Sequence, residues 1–291
     1  MGIVLGPNQY GKAEIRVVAV DRTGPRHELR DLTVSTALRG DFAAAHQAGD
    51  NAHVLATDTQ KNTVFAFARD GVGEIEDFGL RLARHLAGAY PWITAARVEV
   101  AEHPWQQVEP HGHAFARSGE GEARTAVVTV DSGRRYVLSG LSGLVLLKTT
   151  GSSFAGFPRD RFTTLAETDD RILATAVTAR WRHADPADRA PHSAVRAALI
   201  ETFATLDSKA LQQTLYAMGE AVLRRHPGVV EIRLSLPNRH HVQQDLTPFG
   251  RDNPKVVYHV DDRPYGLIEG TVTRDGAPPA GPAWEATPAF C

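Results

Sequence analysis

KAEIRVVAVDR, residues 12–22, sets the first element by its alternation. Ile15, Val17 and Ala19 fall on one face, as in a strand with one side buried. Thr23-Gly24-Pro25 follows as turn chemistry, and a second alternating run spans Leu29–Leu38, so the two read as a long hairpin. Two helical stretches come next. The first runs from Thr59 to Arg69, with Asp58 expected to cap it by accepting a free backbone N–H. The second, from Glu74 to Ala89, sets Ile75, Phe78, Leu82, Leu86 and Ala89 three and four apart, one apolar stripe that Pro91 ends. Strands over Ala95–Val108 and His113–Val130, split by Pro110, complete the order.

The same order then recurs. Tyr136–Leu147 and Arg171–Trp181 read as strands with a long connection. A helix from Pro191 carries Val195, Ala198, Leu199, Thr202, Phe203 and Leu206, and another carries Leu211, Leu215, Met218 and Val222. Val229–Leu236 and Val256–Val260 are strands, with Leu267–Val272 extending the last. The chain thus reads β-β-α-α-β-β twice, an α+β arrangement of antiparallel sheets with helices on one face. The expected division is 1–131 and 132–273, joined near Asp131-Ser132-Gly133. Residues 274–291 form a Pro/Gly/Ala-rich tail expected to be mobile, with Trp284 and Phe290 as its candidate anchors.

Composition narrows the function classes. In 291 residues, 32 basic and 34 acidic side chains give a net charge of −2, without the positive field that nucleic-acid or membrane-surface binding needs. The one cysteine, Cys291, excludes an internal disulfide and a cysteine zinc site. No signal peptide, membrane span or Ser-Lys-Leu ending is read, and a cytoplasmic location is expected.

Cofactor motifs are missing: there is no P-loop, dinucleotide fingerprint, nucleophile elbow or His-Glu-x-x-His. The pairs His111/His113 and His240/His241 lack a carboxylate or cysteine at ligand spacing, so no metal is expected and His111 and His113 read as structural. His111 and His113 would share one face of a strand. What remains is a set of polar residues at element ends, where rigid elements present side chains to ligands. They are Lys12, Thr57-Asp58, Arg171 after Thr168-Asp169-Asp170, Gln212 in the first turn of a helix, and Asn238 and His240 after a strand.

Around those residues lie YGK (10–12) with IRV (15–17), ATDTQKN (56–62), LKTT (147–150), SFAGFPRD (153–160), TTL (163–165), ETDDRI (167–172), QQTLY (212–216) and LSLPNRH (234–240). In this order, over most of the chain, they resemble the urate oxidase (uricase) family. The resemblance implies two tandem tunnelling-fold domains, a homotetramer around a tunnel, and active sites between subunits. It implies oxidation of urate by O2 and water to 5-hydroxyisourate and H2O2, with O2 as co-substrate and no cofactor or metal.

The resemblance also implies roles. Phe154 stacks on the purine, Arg171 clamps its edge with a planar, permanently charged fork, and Gln212 pairs with the opposite edge. Leu211 and Asp58 contribute mainly backbone groups; Leu211 stands where the family often has Val. From the neighbouring chain, Lys12 and Thr57 form a proton-transfer pair and His240 completes the relay, imidazole being suited to proton exchange near neutral pH. Asn238 with Thr57 holds O2, peroxide or water above the ring. Two alternatives stand beside this reading: another tunnelling-fold enzyme acting on a pterin or purine-like ring, and a non-catalytic purine-binding protein.

Overall fold

The first strand, β1 (Tyr10–Asp21), pairs antiparallel with β2 (Glu28–Gly40), but the register is broken once. Lys12 lies opposite Thr36 and Ile15 opposite Val34, so Ala13 and Glu14 together face Ser35. This is a β-bulge. Glu14 takes a positive φ of 56° in it and donates its backbone N–H to Ser35 Oγ at 2.9 Å. The extra residue changes parity. Unbroken alternation would put Lys12 on the face opposite Ile15 and Val17; the bulge turns it to the same face, which it shares with buried Val34, Thr36 and Leu38.

The computed structural model describes residues 2–117, 121–261 and 263–285, and the chain divides into two units. The first comprises 1–140, 185–187 and the chain from Pro278. After β2 come α1 (Ala43–Ala48), α2 (Thr57–Arg69), α3 (Ile75–Gly88), β3 (Ile93–His103), β4 (Trp105–Gln107), β5 (Phe115–Arg117), β6 (Ala123–Asp131) and β7 (Arg134–Lys148), which ends in the second unit. The sheet order is β1-β2-β3-β6, antiparallel throughout, with α2 and α3 on one face. Phe78, Leu82 and Leu86 of the predicted stripe are fully buried against Val34, Leu38, Val98 and Val128.

Four expectations in this unit need correction. α2 starts at Thr57 rather than Thr59, and Asp58 does not cap it. Ala56 holds the cap position without a side-chain bond, while the Asp58 carboxylate bonds Lys61 Nζ and, at 2.9 Å, Asn62 Nδ2. His111 and His113 do not share a strand face: they lie in the turn between β4 and β5, after a cis Glu109–Pro110 bond, their ring centroids 6.2 Å apart. Among the described residues no group of three or more His, Cys, Asp or Glu is placed to hold a metal, and no helix is long and apolar enough to cross a membrane. Finally, the tail is docked as far as Glu285. Ala283 is buried beside Val127 and Leu138, Arg97 Nη1 donates to the Glu285 carbonyl at 2.7 Å, and Arg39 pairs with the Glu285 carboxylate at 2.9 Å. Phe290 and Cys291 lie outside the described residues.

The second unit comprises 141–184 and 188–277. It holds β8 (Leu173–His183), α4 (His192–Thr205), α5 (Leu211–Arg225), β9 (Val229–Pro237), β10 (His240–Gln243), β11 (Tyr258–Asp261) and β12 (Leu267–Thr273). β8, β9 and β12 are antiparallel neighbours, and α4 and α5 bury Leu199, Phe203, Met218 and Val222 against Trp181, Ile232 and Leu236. Gly219 lets α5 approach β12, since a Cβ there would sit 2.6 Å from Val272 Cγ2. β10 and β11 form a separate two-stranded hairpin; the reading of Val256–Val260 as a strand caught only its second arm.

Candidate active site

In the first unit, the hairpin and α2 bring Lys12 and Thr57 into one neighbourhood. Both are half-buried. Gly11 makes this possible: a Cβ there would lie 1.8 Å from the Thr36 carbonyl oxygen, so only glycine lets β1 close on β2 at the residue before Lys12. The Lys12 backbone N–H donates to Thr36 Oγ1 at 3.3 Å. Thr36 Oγ1 in turn donates to Gln60 Oε1 at 2.8 Å, and Gln60 Nε2 donates to the Leu55 carbonyl at 3.3 Å. Asp58, exposed, is held below the usual carboxylate range, first by its bond to Lys61 and in smaller part by the Lys12 ammonium.

The second unit places Phe154 and Arg171 by a different device, a cross-braced pair of segments. Phe154 and Thr168 exchange backbone hydrogen bonds at 2.9 and 3.0 Å, and the Arg171 N–H donates to the Ser152 carbonyl at 2.8 Å. The Asp170 carboxylate clamps the brace, accepting from Thr150 Oγ1 at 2.8 Å and the Gly151 N–H at 2.9 Å. These bonds, the Thr150 hydroxyl foremost, hold its pKa below the ordinary aspartate value. The Arg171 guanidinium carbon then sits 5.0 Å from the Phe154 ring centroid. Its Nε is buried without a partner, and burial lowers the pKa of this cation.

A cavity of about 240 Å³ opens there, lined by Phe154, Leu165, Thr168 and Arg171 and, from the β10–β11 hairpin, by His240, Gln243 and Tyr258. Of these hairpin residues His240 was expected from the sequence, whereas Gln243 and Tyr258 were not. His240 has its Nδ1 3.4 Å from the Asn238 amide nitrogen; with that nitrogen donating, the imidazole proton sits on Nε2. Asn238 is fixed by its N–H to the Gly266 carbonyl at 2.8 Å. Leu211, buried, and Gln212, exposed, open α5 as expected. They do not line the cavity, but are tied to it through the Ser152–Ser208 bridge, in which Ser153 N–H donates to the Ser208 carbonyl at 2.8 Å.

The structure thus gathers Phe154, Arg171 and His240 around one cavity, and Lys12 and Thr57 at one strand–helix junction. Repeated β-β-α-α-β-β units with polar side chains at their element ends define a tandem tunnelling-fold protein. The Uricase family model matches residues 8–129 and 137–269. The chain belongs to the uricase family. It is 52% identical to the uricase of Arthrobacter globiformis, over 99% of this chain and 96% of the relative, and 36% identical to that of Dictyostelium discoideum, over 92% and 96%. The crystal structure of the Arthrobacter globiformis uricase superposes with a TM-score of 0.93 at 51% identity, covering 98% of this chain and all of that one. Urate oxidase from Bacillus sp. TB-90, 23% identical with a TM-score of 0.81 over 92% of this chain, shares the fold.

Proposed function

We propose that the chain oxidises urate with O2 and water to 5-hydroxyisourate and H2O2, without metal or organic cofactor, as a homotetramer whose sites lie between subunits. The two tunnelling-fold repeats are assigned to residues 1–131 and 132–273. One observation carries the reading: the family's purine-clamp residues, Phe154 and Arg171, stand on a braced scaffold with a desolvated guanidinium nitrogen still free. A partly buried cation with a buried Nε that lacks an acceptor suits an anionic, flat ligand, because the ligand supplies both the missing acceptor and the missing charge. Gln212 then offers one donor and one acceptor to the opposite edge, and Leu211 and Asp58 add backbone groups.

The chemistry divides between the units. Urate supplies the electron pair. Thr57 Oγ1 takes a urate proton as it gives its own to the Lys12 amine, and His240 exchanges protons with Lys12. Asn238 and Thr57 hold O2 and then water above the ring. Two electrons and two protons reduce O2 to H2O2, and water adds at the oxidised carbon, so atoms and charge balance. The protein contributes positioning and a fixed polar environment.

The test is O2 uptake by chelator-treated protein during loss of urate absorbance. Coupled loss with one peroxide formed per urate supports the reading. Binding of urate without O2 uptake favours the non-catalytic alternative, and activity that returns only with added metal favours a pterin-type metalloenzyme.

A further inference from the structure

We propose that Thr36 and Gln60 are positioning residues that set the spacing of Lys12 and Thr57. The inference rests on the proton-transfer reading above and deepens it.

Both side chains are polar intrusions into apolar faces. Thr36 stands between Val34 and Leu38 on the buried side of β2, and Gln60 heads the stripe Gln60, Val64, Ala68 of α2. They are 4% and 0% exposed. An apolar pair of the same size would seal this helix–sheet contact without desolvating a hydroxyl and an amide. What an apolar pair lacks is direction. Here the bonds form one chain: Lys12 N–H to Thr36 Oγ1, Thr36 O–H to Gln60 Oε1, Gln60 Nε2 to the Leu55 carbonyl. One end is the backbone of Lys12. The other is the backbone two residues before Thr57. Fixed bond lengths therefore set how far the first strand stands from the start of α2.

The bulge makes the connection necessary. Because Ala13 and Glu14 share one partner, Lys12 faces the helix layer directly opposite Thr36 rather than the other side of the sheet. The bulge is held across the hairpin by the Glu14 N–H to Ser35 Oγ, and the Thr36 hydroxyl adds a fixed point at Lys12 itself, on the face that meets the helix. Gln60 also anchors α2 through its own N–H to the Ala56 carbonyl at 3.2 Å, so the residue that receives the strand's position is rigidly part of the helix carrying Thr57.

The experiment compares Thr36→Val, Thr36→Ser, Gln60→Met and Lys12→Met as full-length proteins, reading melting temperature, kcat and KM for urate. Thr36→Val and Gln60→Met should lower kcat about 10- to 100-fold, as expected for sub-ångström to ångström misplacement of reacting groups. KM should stay within about twofold, and Thr36→Ser, which keeps the hydroxyl, should restore most of kcat. A folded Thr36→Val or Gln60→Met with kcat near wild type, or a Thr36→Ser that loses as much kcat as Thr36→Val, overturns the inference. If Thr36→Val does not fold, Gln60→Met decides alone. Lys12→Met separates the two levels: if it is inactive while Gln60→Met turns over normally, the positioning role fails alone; if it turns over normally, the proton-transfer pair fails and the positioning role with it.

Discussion

Replacing Arg171 with glutamine should separate ligand binding from fold stability, because the two depend on its charge with opposite sign. In the free protein the guanidinium lies over Phe154, its Nε buried without an acceptor, and burial penalises its charge. Among the described residues it has no ion-pair partner. A charged donor buried this way gives the fold little. With an anionic purine bound, the same group makes charge-assisted hydrogen bonds, each contributing about 1.5–3 kcal/mol. Arg171→Gln keeps most of the stem and one amide but drops the charge, so a urate analogue that cannot be oxidised, such as xanthine, should bind roughly 10- to 100-fold more weakly. The melting temperature should hold or rise. Titration calorimetry gives the first quantity and thermal denaturation the second. Unchanged affinity, or a fall in melting temperature beyond about 4 °C, which is roughly 2 kcal/mol for a chain of this size, would make Arg171 a structural strut and refute the reasoning.

Three other outcomes follow from the geometry. Gly11→Ala forces a Cβ to within 1.8 Å of a backbone oxygen that cannot yield without parting β1 from β2, so stability should drop by about 1–3 kcal/mol and turnover with it, measured by denaturant titration and initial rates. Phe154→Ala should raise KM for urate about 10- to 100-fold through loss of a stacking surface contributing about 1–3 kcal/mol, with the melting temperature little changed. Asp170→Asn tests the clamp by pH. The native pKa of Asp170 is depressed, so its stabilisation is fully present above the unfolded value of about 4 and is lost as pH falls through the folded value. The melting-temperature gap between wild type and Asp170→Asn should therefore be constant above about pH 5 and close in strong acid; a gap independent of pH contradicts the clamp.

Much of this was legible in residue order. The alternation of Ile15, Val17 and Ala19 and the stripe of Phe78, Leu82 and Leu86 report burial on one face, which local period encodes directly. The positions of Lys12, Thr57, Arg171, Gln212 and His240 at element ends were legible too, although their roles came only from the family resemblance. What escaped was set by contacts distant in sequence. The parity reversal at Ala13–Glu14 depends on a Ser35 partner across the hairpin, and nothing in the alternation announces it. Asp58 was read as the cap, but α2 begins one residue before it, and inside that first turn Lys61 and Asn62, three and four residues on, take its carboxylate. The tail looked mobile from its Pro, Gly and Ala content, but the small Ala283 fits beside Val127 and Leu138, and Arg39 and Arg97 hold Glu285. A usable signal for Thr36 and Gln60 was present: each is a polar residue in register with an apolar stripe.

Subunit complementation tests the central claim most directly, because the account assigns the proton-transfer pair and the purine clamp to different chains of one site. Lys12→Met and Arg171→Gln proteins, each separately impaired, would be co-refolded in equal amounts. If every site takes Lys12 from one subunit and Arg171 from another, random assembly leaves both residues intact in about one quarter of sites, and the mixture should recover about a quarter of wild-type turnover. If each chain supplied its own complete site, no mixture would contain an intact one. Turnover no greater than the average of the two parents would contradict the account.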